Sequence, residues 1–116
     1  MTRLTADKRI FVKFYVDAVR SGMVADIGAE RLQTLLVLAS YMDANGRCYP
    51  TQYAIAEALG VARETANRRV KSLLRYHWRG QPLVTAEKQR DPTTQSWANT
   101  VYTVHPVSNV GIFGTS

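Results

Sequence analysis

"IAEALGVARETANRRV", residues 55–70, is the stretch on which the reading of this chain turns. An alanine-rich apolar half runs into Gly60, and a strongly basic segment follows. The pattern predicts two helices joined by a tight turn. Thr51 is a fair N-cap for a short helix from Gln52 to Leu59, since a hydroxyl there accepts from the free N–H groups of the first turn. Gly60 suits the left-handed position that ends a helix. A second, longer helix is expected from about Arg63 to His77, with Ala66, Val70, Leu73, Leu74 and His77 on one side. Ala56 stands where the helices would cross, and a larger side chain there would push them apart. Ile55, Leu59 and Val61 would anchor the turn to the core.

The opposite side of the second helix carries Glu64, Asn67, Arg68, Lys71 and Arg75. These are residue types that read or hold a nucleic-acid groove: Asn pairs bidentately with adenine, Arg with guanine, and Lys with phosphate. Arg63 falls near the helix start, where the dipole and free N–H groups also favour phosphate. A charged outer face is by itself the ordinary condition of an amphipathic helix. The charge distribution adds weight. Of the net +6, residues 1–58 hold seven Lys/Arg against six Asp/Glu, and residues 59–116 hold eight against three. Nearly all the excess therefore follows Gly60, as a polyanion-binding half would require.

Working outward, "DKRIFVKFYVDAV" (7–19) is read as a first helix with Ile10, Phe14 and Val16 among its apolar positions. From Gly28, Leu32, Leu35, Leu36, Ala39 and Met42 form one apolar stripe of a further helix, which Asn45-Gly46 should stop. "RCYP" (47–50) reads as a short strand or extended connector, because the residue before Pro50 is biased away from helix. "LVTAEK" (83–88) and "TVYTVH" (100–105) alternate like strands, with the polar loop "QRDPTTQSW" (89–97) between them. Lys88 and Arg90 are placed at the foot of this hairpin and expected on the nucleic-acid backbone. The sum is a mainly α fold with a small β-hairpin, a winged helix-turn-helix, over residues 1–106. Residues 107–116 read as a tail or the start of a linker.

"NGRCYPTQYAIAEALGVARETANRRVKSLL" (45–74) resembles the helix-turn-helix family found near the N-terminus of plasmid, phage and mobile-element replication proteins. The similarity extends over roughly residues 11–75. The residues themselves are read as a domain that binds double-stranded DNA sequence-specifically, with the helix 63–77 in the major groove and the loop 88–97 along the backbone or minor groove. The resemblance implies a replication initiator, with a small transcriptional repressor as the nearest alternative. A winged-helix interaction module, in which the same surface binds protein and oligomerises, is a rival of another kind, and a homodimer is kept as an expectation. The chain departs from the family pattern at Thr51, where Ser is usual, at Ala62, where Ser usually caps the recognition helix, and at Ala66, where Val or Ile usually packs.

Other chemistries find little support. Cys48 is the single cysteine, and His77 and His105 are the only histidines, so neither a structural zinc site nor a disulfide framework is expected. No phosphate-cradling Gly-rich loop occurs. The longest apolar run, "TLLVLASYM", is far below the roughly 18–20 residues of a membrane span. The expectation is a cytoplasmic, non-enzymatic protein without cofactor, metal or small-molecule substrate.

Overall fold

The computed structural model describes residues 9–90 and 97–114, with residues 90 and 97–99 described by their backbone alone. Three helices form the centre: α3 (Ala29–Ser40), α4 (Gln52–Leu59) and α5 (Arg63–Arg75), preceded by the short α1 (Asp17–Arg20) and α2 (Met23–Ile27). β2 (Arg47–Cys48), β5 (Val84–Arg90) and β6 (Trp97–Val104) make an antiparallel sheet in the order β2-β6-β5. β3 (His77–Trp78) pairs with β4 (Gln81–Pro82), and β1 (Phe11–Phe14) pairs with β7 (Val110–Phe113).

α4 and α5 begin and end for identifiable reasons. Thr51 is extended at φ −73°, ψ 161°, and its hydroxyl accepts from the Ala54 N–H at 3.0 Å. At the other end Gly60 takes φ 71°. The Gly60 and Val61 N–H groups donate to the Glu57 and Ala56 carbonyls, both at 3.1 Å, which is a Schellman closure. Ile55, Ala56 and Leu59 of α4 meet Ala66, Val70 and Leu73 of α5, all buried, around Leu35, Leu38 and Ala39 of α3. The core continues through Leu83, Val84 and Val104 into the sheet. Gly46 touches the same sheet: its carbonyl accepts from the Val104 N–H at 2.7 Å, and any Cβ there would run into the Val104 carbonyl oxygen.

Four expectations are corrected. Residues 7–19 are not one helix: Phe11–Phe14 is a strand, followed by a single helical turn at Asp17–Arg20, and Ile10, Phe14 and Val16 are exposed. The β-branched and aromatic run finds a partner in Val110–Phe113, in the segment read as a tail, and long-range pairing overrides local periodicity. Val12 faces Ile112 against the core, and Phe11 stacks on Phe113 at 5.5 Å. Within α3, Leu36 is 41% exposed while Leu38 and Thr34 are buried, Thr34 satisfying its hydroxyl on the Glu30 carbonyl at 2.8 Å. Finally, α5 stops at Arg75 and His77 is an exposed strand residue. Arg79-Gly80 turns a miniature hairpin, both at positive φ (53° and 80°), and the chain must leave the helix to make it.

Candidate nucleic-acid interface

On α5, Glu64, Asn67, Arg68, Lys71 and Arg75 are all exposed and lie within about 100° of helical arc, opposite the buried Ala66, Val70 and Leu73. Among the described residues, the side chains of Arg68, Lys71 and Arg75 make no hydrogen bond or ion pair. The neighbouring cation behaves differently. Arg69, on the flank facing α3, lies 3.3 Å from the Glu30 carboxylate and donates to the Gln33 side-chain amide oxygen at 3.3 Å. Its side chain is 17% exposed.

A second inward cation completes the seam. Arg31 donates from Nε to the Ile27 carbonyl at 2.8 Å and from Nη1 to the Ser72 hydroxyl at 3.3 Å, and its guanidinium lies 4.9 Å from the Tyr76 ring centre. Tyr76 in turn donates to the Asp26 carboxylate at 2.6 Å. Burial and that carboxylate push the Tyr76 hydroxyl up to about 12. The seam clamps α5 to α2 and α3 with one set of basic residues and leaves another set in solvent.

Ala62 stands at the α5 N-cap, extended at φ −68°, ψ 157°, with no side-chain capping bond. Arg63 follows it and is not free: Nη1 donates to the Tyr53 hydroxyl at 3.2 Å, with the guanidinium 4.4 Å from the Tyr53 ring centre. Tyr53, Arg69 and Arg31 were not singled out from the sequence. Tyr53 is ten residues from Arg63, and only the reversal at Gly60 joins them. Arg69 was hidden because Arg68 beside it is equally basic.

The hairpin packs against the helix pair. Gln52, at the start of α4, donates from Nε2 to the Tyr102 hydroxyl on β6 at 3.1 Å, tying the helix pair to the sheet. Lys88 is exposed on β5 opposite Thr100, and Arg90 follows a bulge and pairs with Trp97. Both belong to the strand far from its base at Val84, a correction to their placement at the hairpin foot. The remainder of the expected loop, residues 91–96, lies outside the described residues, as do the side chains of Arg90 and Trp97.

Residues 28–78 match the family model of a helix-turn-helix domain. The matched segment runs from the glycine before α3 through α4, the Gly60 turn and α5 to β3. No curated protein and no solved structure matches the chain. The helix-turn-helix is thus carried by the geometry and by the family match together, within an α+β fold of helices and small antiparallel sheets.

Other chemistry is sparse. Among the described residues no three His, Cys, Asp or Glu side chains gather as a metal site would need, and no helix is long and apolar enough to cross a membrane. The Cys48 thiol is buried, and burial with the nearby Asp43 charge pushes it up to about 12, far from a reactive thiolate.

Proposed function

We propose that this chain is a winged helix-turn-helix that binds double-stranded DNA sequence-specifically. α5 enters the major groove, where Asn67 reads adenine and Arg68 reads guanine, with Glu64 tuning the contacts beside them. Arg63, Lys71 and Arg75 hold phosphates. The β5–β6 hairpin is the wing, with Lys88 and Arg90 on the backbone or in the minor groove. The observation that carries this reading is the division of the cations on α5: Arg69 is taken inward by Glu30, while Arg68, Lys71 and Arg75 stand in solvent with no protein partner among the described residues. Free cations on one helix face suit a polyanion, and paired ones suit the core.

The resemblance of residues 45–74 supports a replication initiator of a plasmid, phage or mobile element, acting in the cytoplasm without catalytic activity or cofactor. A transcriptional repressor uses the same surface; an initiator binds repeated sites at an origin, whereas a repressor binds its own promoter. Selection from a random duplex pool, followed by salt titration of the preferred and scrambled duplexes, tests the reading. Log K is expected to fall linearly with log salt, with a slope of about −0.9 per phosphate neutralised. A flat line, or no binding at low salt, sinks it.

A second reading, a module for protein association or homodimerisation, is favoured by one observation. Ile10, Phe11, Val16, Val19 and Phe113 are 39–60% exposed beside a two-stranded sheet with open edges. Sedimentation across a concentration series, with and without duplex, separates the two.

A further inference from the structure

Tyr53 is the most open of the large apolar and aromatic side chains among the described residues, at 68% exposure. Its ring nonetheless has a partner. The Arg63 guanidinium sits 4.4 Å from the ring centre, and Arg63 Nη1 donates to the Tyr53 hydroxyl at 3.2 Å. A guanidinium that is both stacked and hydrogen-bonded has lost much of its rotamer freedom before any ligand arrives, so binding it costs less.

The hydrogen-bond inventory then points outward. Tyr53 occupies one of the five N–H donors that a guanidinium carries. The phenol oxygen accepts that bond, so its own O–H remains available to donate. Neither side chain has another partner among the described residues, and no carboxylate pairs with Arg63 although Glu64 is adjacent. One neutral and one cationic donor group about one hydrogen bond apart, in the exposed first turns of α4 and α5, suit two oxygens of a single phosphate.

We propose that Tyr53 contacts the DNA backbone and acts as the positioning residue for Arg63. The phenol O–H and the stacked guanidinium clamp one phosphate at the rim of the groove that α5 enters. This rests on the DNA-binding reading above. The clamp supplies affinity to any duplex and carries no sequence discrimination.

The experiment measures binding of preferred and scrambled duplexes over a salt series by the wild-type chain and by Tyr53→Phe, Tyr53→Ala, Arg63→Ala, Arg68→Ala and the Tyr53→Ala/Arg63→Ala pair. Tyr53→Phe keeps the ring and removes one neutral donor, so both duplexes should weaken about three- to tenfold. Its salt slope should stay unchanged, because a phenol releases no counterion. Arg63→Ala should make the slope shallower by about 0.9. Arg63→Ala should cost clearly less in the Tyr53→Ala background than in wild type, since the guanidinium is no longer held there. Thermal melts of the Tyr53 variants should match wild type, as the side chain is exposed. The proposal is overturned if Tyr53→Phe and Tyr53→Ala bind as wild type, or if the two alanine costs multiply independently. If those variants are neutral while Arg68→Ala loses discrimination, the clamp fails and the DNA-binding reading survives. If wild type shows no salt-dependent duplex binding, both fall.

Discussion

Arg69 of α5 and Glu30 of α3 meet at 3.3 Å, while Arg68, one residue earlier, is exposed with no partner among the described residues. One step along the helix thus separates a cation used for packing from a cation available for a ligand. Arg69→Ala should lower unfolding stability by roughly 0.5–1.5 kcal/mol, through the lost pair and the lost packing of its stem. Arg68→Ala should leave stability within about 0.5 kcal/mol, as exposed substitutions do. Urea midpoints of the two variants check this, and equal midpoints would mean that the Arg69 pair contributes nothing.

Thr51 and Ala62 hold nearly the same extended backbone at the starts of α4 and α5, yet only Thr51 caps its helix. Ala62→Ser should therefore raise stability by about 1 kcal/mol, and Thr51→Ala should lower it by about 0.5–2 kcal/mol. Thermal melts that fail to move in opposite directions would show that a hydroxyl at Ala62 cannot reach the free N–H groups of the first turn.

The alkaline limb of stability should reflect Tyr76 and Cys48. Both groups are raised to about 12 in the fold, from ordinary values of 10.0 and 9.0. The unfolded chain loses these protons first, so the native state binds more protons through this range and stability must fall as pH rises. The contribution is intact below about pH 9 and is lost progressively toward pH 12. Denaturant midpoints measured from pH 8 to 11.5 should decline, and Tyr76→Phe should flatten the upper part of the decline. A flat wild-type profile would contradict the Tyr76–Asp26 bond as a persistent feature.

The wing and the helix should separate in a discrimination assay. Arg68→Ala should cost roughly 1–3 kcal/mol on the preferred duplex and far less on a scrambled one. Replacing Lys88 and Arg90 together should weaken both duplexes alike and make the salt slope shallower. Loss of discrimination in the wing variant alone would invert the assignment, with the hairpin in the groove and α5 along the backbone.

Much of the centre was legible from residues 51–75. Thr51, Gly60 and the apolar spacing of Ala66, Val70 and Leu73 act within one or two turns of the chain, so local chemistry was enough to place α4, its Schellman end and the buried side of α5. The exposed face followed automatically as the other side. The alternation of residues 83–88 and 100–105 likewise sufficed for a hairpin, though not for its bulge.

What the tertiary structure decided is everything that depends on a partner distant in sequence. Phe11–Phe14 is intrinsically ambiguous between helix and strand, and becomes β1 because Val110–Phe113 lies beside it. Arg68 and Arg69 are chemically alike, and only the packing of α3 against α5 brings Glu30 to one of them. Tyr53 and Arg63 stack because the chain reverses at Gly60 and folds α4 across α5. Local sequence determines how the backbone turns and which face is apolar, since those energies are set over a few residues. Which charge is consumed by the fold and which is left for a ligand depends on loop closure and packing over tens of residues, and is settled only when the core forms.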